Sequence, residues 1–93
     1  MQPYVTLYKY SGPVKGGGIE RFEKVRQIVA DEKGRILHNY GLLGANDALS
    51  VAEYPDNRTA MRAAARIGNL ISAQTNTMAA VEGDDFLRIL SEI

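Results

Sequence analysis

Cysteine is absent from the 93 residues, so the chain carries no disulfide framework and no thiolate metal site, a composition that fits a reducing compartment. Net charge is absent too. Eleven Lys and Arg balance eleven Asp and Glu, leaving no global field to draw in nucleic acid or an anionic membrane. No apolar run approaches the roughly 20 residues of a membrane span, and the opening MQPYVTLYKY lacks the basic region and continuous apolar core of a signal peptide. The expectation is a cytoplasmic protein with neither a nucleic-acid nor a membrane partner. Histidine occurs once, at His38, so imidazole chemistry has a single address per chain. A domain this short hides only about 60 to 70 % of the surface its unfolded chain exposes. One domain spanning residues 1–93 is therefore expected to lean on association with itself.

What is present is strong periodicity. Tyr4 to Tyr10 alternates, with Val5, Leu7 and Lys9 on one side and Tyr4, Thr6, Tyr8 and Tyr10 on the other, and its β-branched and aromatic residues predict a strand. Gly-Pro and a triple glycine then mark a loop from Ser11 to Gly18. Ile19, Phe22, Val25, Ile28 and Val29 recur at helical spacing against a charged face, and Gly34 is the expected helix stop. A second strand is predicted from Arg35 to Leu42, with Ile36, His38 and Tyr40 on one face, and a third from Ala48 to Tyr54 after the turn Gly44-Ala45-Asn46-Asp47. Pro55-Asp56-Asn57 supplies cap chemistry for an alanine-rich helix that Gly68-Asn69 can close. Ser72 to Val81 reads as a fourth strand, and residues 84–93 as a short amphipathic C-terminal helix with Asp84 and Asp85 near its positive end.

This order, β-α-β-β-α-β with a tail, predicts an α+β, ferredoxin-like domain with a four-stranded antiparallel sheet and two helices on one face. The helices are expected to cover Val5, Leu7, Leu37, Leu49 and Val51. The opposite face, with Tyr4, Tyr8, His38, Tyr40 and Ala48, then needs another cover, and a second copy of the same sheet is the simplest.

The stretch from Arg35 to Asp56 concentrates the chemistry. His38 and Tyr40 share a strand face by alternation and, with Tyr8, form a group able to move a proton near neutral pH. Asp47 is placed either to accept backbone amides around the turn or to orient His38. A metal site at His38 and Asp47 is disfavoured, since one chain offers a single imidazole. The SGPVKGGGIE loop places Lys15 beside glycine amides and a helix start, features that attract anions, but it lacks the GxxxxGK[ST] pattern and reads as a surface loop. Arg58, Arg62 and Arg66, four apart, read as a solvated helix face.

The segments YVTLYKY from Tyr4, Gly18-Ile19, LLGANDALSVAEYPD and Thr75-Asn76-Thr77-Met78-Ala79-Ala80 together resemble the GYD-domain proteins, small members of the dimeric α+β barrel group. Gly44 and Asp47 match the outer positions of the name-giving Gly-Tyr-Asp, with Ala45-Asn46 between them. Asn46 stands where the family has tyrosine, and Gly41 where it tends to place a bulky aromatic. The resemblance implies a subunit whose sheet packs on a partner's sheet to close a barrel around a cavity. Related barrels include amino-acid-sensing domains of leucine-responsive regulators and cofactor-free oxygenases. With no DNA-binding extension in the chain, a regulator of that type is not expected.

Two readings follow. In the first, a homodimeric binding or assembly module takes a small polar or aromatic ligand into a cavity lined by Tyr8, His38, Tyr40, Asn46, Thr75 and Thr77. In the second, a cofactor-independent oxygenase or isomerase uses His38 as general base with Tyr40 and Asp47, and Tyr8, Tyr40 or Asn46 stabilises developing charge. Neither calls for a cofactor or a metal.

Overall fold

Alternation and cap chemistry are realised in order along the chain. The computed structural model describes residues 1–12 and 16–93. It runs β1 (Gln2–Tyr10), α1 (Gly18–Asp31), β2 (Arg35–Gly41), β3 (Ala48–Tyr54), α2 (Asn57–Ile71), β4 (Ala73–Ala79) and α3 (Gly83–Ser91). The strands form one sheet in the order β2-β3-β1-β4, every neighbouring pair antiparallel. Helices α1 and α2 pack on one face of it, as an α+β ferredoxin-like domain requires.

The face they cover is not the one predicted from alternation. Tyr4, Thr6, Tyr8, Ser50, Ala52 and Tyr54 lie buried beneath the helices, whereas Val5, Leu7, Leu49 and Val51 pair across the strands on the opposite, open face. Both faces of β1 are apolar enough to be core, so period two alone does not choose between them. Tyrosine wins the inner position because its hydroxyls find partners there. The Tyr4 hydroxyl donates to Asn57 Oδ1, that of Tyr8 lies 2.9 Å from Ser50 Oγ, and the Tyr4 and Tyr54 rings meet edge to face at 5.8 Å.

Helix α2 begins on a capping box: the Asp56 carboxylate accepts from the Thr59 backbone N–H at 2.9 Å, and the Thr59 hydroxyl accepts in return from the Asp56 N–H. Its inner stripe, Ala60, Ala63 and Ile67, is buried. The small alanines let the helix sit close on the sheet. It runs past Gly68-Asn69 to Ile71, where Ser72 takes the left-handed conformation (φ 52°) and its N–H donates to the Gly68 carbonyl.

The end of α1 also differs from expectation. Lys33, not Gly34, adopts the left-handed turn (φ 61°), while the Gly34 N–H closes on the Val29 carbonyl at 2.8 Å. Gly34 is required for a different reason: a Cβ there would stand 2.6 Å from the Tyr54 ring and 2.8 Å from the Glu53 carbonyl oxygen.

All three helix arginines are exposed, and two of them are also paired. Arg62 Nε reaches Glu32 Oε1 at 3.1 Å, and Arg66 reaches Glu32 Oε2 at 3.0 Å and Asp31 Oδ2 at 3.3 Å. Asp31 and Glu32 sit at the negative end of α1, where acidic side chains are unfavourable. The arginines offset that and tie α1 to α2. Arg58, one turn earlier, is exposed.

Helix α3 stands apart. It has no buried residue, and among the described residues it packs against no other element. The radius of gyration is 14.1 Å with a longest dimension of 48 Å, against about 12 Å expected for a compact chain of this length.

Candidate functional site

A β-bulge decides where the histidine points. β2 pairs Ile36 with Ala52, then slips at Leu37, so that His38 pairs with Val51 and Tyr40 with Leu49. The extra residue turns Ile36 toward the helices and His38 and Tyr40 onto the open face. Their rings stack there at 6.3 Å, 17° from parallel. Alternation had kept Ile36 on the same side as these two.

The other expected lining residues are elsewhere. Tyr8 pairs with Thr75 and Thr6 with Thr77 across β1 and β4, on the helix side, where the Thr6 and Thr77 hydroxyls lie 2.9 Å apart. Tyr8 and the two threonines therefore share a face with one another, and the sheet separates them from His38 and Tyr40. Asn46 is in the β2–β3 turn, half-buried.

Asp47 acts on β1. Its N–H donates to the Tyr8 carbonyl at 2.8 Å, its carboxylate Oδ2 accepts from the Tyr10 N–H at 2.8 Å, and its carbonyl accepts from the Leu42 N–H at 2.9 Å. These bonds satisfy backbone groups where the hairpin leaves β3 and extend the sheet past Ala48. The bonding is to a distant strand as well as to the turn. Lys15 of the glycine-rich loop lies outside the described residues.

The open face is apolar at its centre and polar at its margins. Val5, Leu7, Leu49 and Val51 form the middle, Met78 and Tyr40 flank them, and an Arg35–Glu53 ion pair at 2.9 Å stands at one end. Helix α3 adds exposed Phe86, Leu87 and Leu90, at 52, 64 and 50 % of their full exposure. Among the described residues, no three His, Cys, Asp or Glu side chains gather into a metal-holding cluster.

On the other side of the sheet, a cleft of about 510 Å³ separates the N-terminal half of α1 from the strands. Its floor on β3 is Ala48, Ser50 and Ala52, three small side chains in alternate positions opposite Phe22 and Val25 of α1. Small residues on the floor leave the volume that larger ones would fill. The sequence signal was the pattern Ala-x-Ser-x-Ala, which the reading from alternation assigned to the uncovered face. Burial raises the Tyr8 phenol above its usual pKa, only partly countered by hydrogen bonding to the Ser50 and Thr6 side chains. The hydroxyl is thus neutral across the physiological range.

A ferredoxin-like α+β domain with one solvent-open apolar sheet face is the class these features define. The chain belongs to the GYD domain family, whose pattern matches residues 4–90. No curated protein matches the sequence. Among solved structures, the leucine response regulatory protein LrpA of Mycobacterium tuberculosis is similar over 87 % of this chain and 51 % of its own, with a TM-score of 0.62 and 9 % identity. A second structure, described as a transcriptional regulator, is similar over 88 % of this chain and 51 % of its own, with a TM-score of 0.68 and 11 % identity. The chain spans about half the length of these neighbours, and at such identity the likeness is one of fold.

Proposed function

We propose that this protein is a homodimeric assembly module in which the open sheet face of one copy packs against that of another. The observation that carries this is the uncovered apolar centre, Val5, Leu7, Leu49 and Val51, lying on the same chain as an unattached amphipathic helix. Four strands about 4.8 Å apart and seven residues long at about 3.4 Å each give a face of roughly 450 Å² in plan. Helix α3, about 13 Å long and 10 Å across, adds on the order of 130 Å². Side-chain relief raises accessible area above these flat figures, toward the roughly 800 Å² per partner of a stable interface. Its charges, the Arg35–Glu53 ion pair and Lys9, stand at the margin, so the apolar centre can meet a two-fold copy of itself. In the dimer, His38 and Tyr40 face the space between the sheets and line a place there for a small polar or aromatic compound.

Sedimentation at micromolar concentration tests the assembly. The expected mass is twice the 10.2 kDa of one chain, and Val51→Lys or Leu49→Lys should give a folded monomer. A monomeric parent protein, or dimers that survive both substitutions, would refute the reading.

A further inference from the structure

We propose that His38 makes the pairing of the open faces depend on pH, so that the dimer holds in neutral solution and comes apart in mildly acidic solution. The inference rests on the assembly reading above and adds its regulation. Two observations carry it.

The first is where the imidazole stands. Cross-strand register puts His38 beside Val51, Val51 beside Val5 and Val5 beside Met78, a row that crosses all four strands on the open face. His38 is the one titratable member of that row and the only histidine in the chain. In the separate chain it is exposed. A second sheet laid over the row takes the imidazole out of water along with the valines, and desolvation costs the charged ring far more than the neutral one.

The second is that nothing on the chain holds the added proton. Among the described residues, His38 has no hydrogen-bond or ion-pair partner, only the ring stack on Tyr40. At 6.3 Å between centroids, Tyr40 stands outside the roughly 6 Å within which an aromatic face attracts a cation. Along the face, the charges of β2 and β3 are Arg35 and Glu53, and Arg35 already engages Glu53 at 2.9 Å. Beyond the other end of β3, the Asp47 carboxylate accepts from the Tyr10 N–H, and β1 adds the cation Lys9. β4 contributes Gln74, Asn76 and Met78, none of them charged. Behind the sheet, α1 brings Arg26 beside Arg35 and Ile36. Under two-fold symmetry the second sheet brings the same set, with no unengaged carboxylate to offer.

The sign and size follow. An imidazole in water gains its proton near pH ~6.5. Covering it favours the neutral form, so association is at full strength above that range and is lost as pH falls through it. With one histidine in each of two copies, the dissociation constant rises by up to about 100-fold from pH 7.5 to pH 5.5.

Sedimentation equilibrium of the full chain at these two pH values, with circular dichroism to check the fold at each, is the test. The constant of the parent should be about 10- to 100-fold larger in acid. His38→Gln, neutral throughout, should associate in acid as it does at neutral pH, within about 2-fold. His38→Lys, charged throughout, should associate more weakly than the parent already at neutral pH. An equal constant at both pH values, or the same slope in His38→Gln, would overturn the proposal and leave the dimer in place. So would tightening in acid, the result expected if a carboxylate of α3 such as Asp84 meets the imidazole. A parent that is monomeric at neutral pH would instead overturn the assembly reading, and this one with it. Should the chain unfold in acid, the comparison moves to about pH 6.5, where a rise of about 3-fold is expected in the parent and none in His38→Gln.

Discussion

Replacing Gly34 by alanine tests the contact that fixes the α1–β2 turn. A Cβ at this position would lie 2.6 Å from both Cδ1 and Cε1 of Tyr54 and 2.8 Å from the Glu53 carbonyl oxygen, distances that force something to move. The ring has nowhere easy to go, because Tyr54 is buried and packed edge-on against Tyr4. The carbonyl belongs to β3, an inner strand of the sheet. Overpacking of this kind costs about 1 to 3 kcal/mol, while alanine recovers about 0.4 to 1 kcal/mol by restricting the unfolded chain. At the midpoints of these ranges, about 2 against about 0.7 kcal/mol, the clash prevails by about 1 kcal/mol, or a fall in Tm of about 4 to 8 °C for a domain of this size. Thermal unfolding at one fixed protein concentration measures it, since association would otherwise shift Tm. In a Tyr54→Ala background the same substitution should cost less than half as much, the residue being the approach to the Glu53 carbonyl. Stability of Gly34→Ala within about 0.5 kcal/mol of the parent, or an equal cost in both backgrounds, would refute the reasoning.

Two pH dependences follow from the structure. Burial raises the Glu32 pKa, but hydrogen bonds from Arg66 and Arg62 and their charges outweigh it and hold the carboxyl below its usual value of 4.5. The stability it contributes is therefore present above that value and lost as pH falls through the lower, folded-state pKa. Glu32→Gln should lower Tm at neutral pH and flatten its decline from about pH 5 to about pH 3; parallel curves for variant and parent would count against the cluster. At the alkaline end, burial, followed by the charges of Tyr8 and Glu32, pushes the Tyr54 phenol from 10.0 up to about 12. Above pH 10 the unfolded chain loses this proton and the folded one does not, so stability drops by roughly 2 to 3 kcal/mol as pH rises to 12. Urea unfolding of Tyr54→Phe across that range should show a shallower drop, and an unchanged slope would mean that Tyr54 ionises freely in the folded protein.

The elements were legible in the chain because each is written in local chemistry. Alternation from Ala48 to Tyr54 gave β3 with its true ends, Pro55-Asp56-Asn57 announced the start of α2, and the order of elements implied the antiparallel sheet. Helix ends were less legible. Glycine was the expected stop in both, yet Lys33 and Ser72 take the left-handed turns, while Gly34 is kept for the space beneath Tyr54. The arginine row carried no mark of its partners, since Glu32 is 30 residues from Arg62 and only the packing of α1 on α2 brings them together.

The candidate site shows the division most sharply. Residue order and periodicity determine that His38 and Tyr40 share a face and that Tyr8, Thr6 and Ser50 can sit on another, because successive strand residues point to opposite sides. They do not determine which face meets the helices. On β1 both sides are apolar, and the choice falls to hydroxyl partners on α2 and β3 that exist once the chain has folded. Nor does alternation foresee the bulge at Leu37, which separates Ile36 from His38. The tertiary structure thus parts a group of residues that the sequence placed around one cavity, setting Tyr8, Thr75 and Thr77 under the helices and His38 and Tyr40 on the open face. It also makes room over Ala48, Ser50 and Ala52, where small side chains on one strand acquire meaning from the helix held above them.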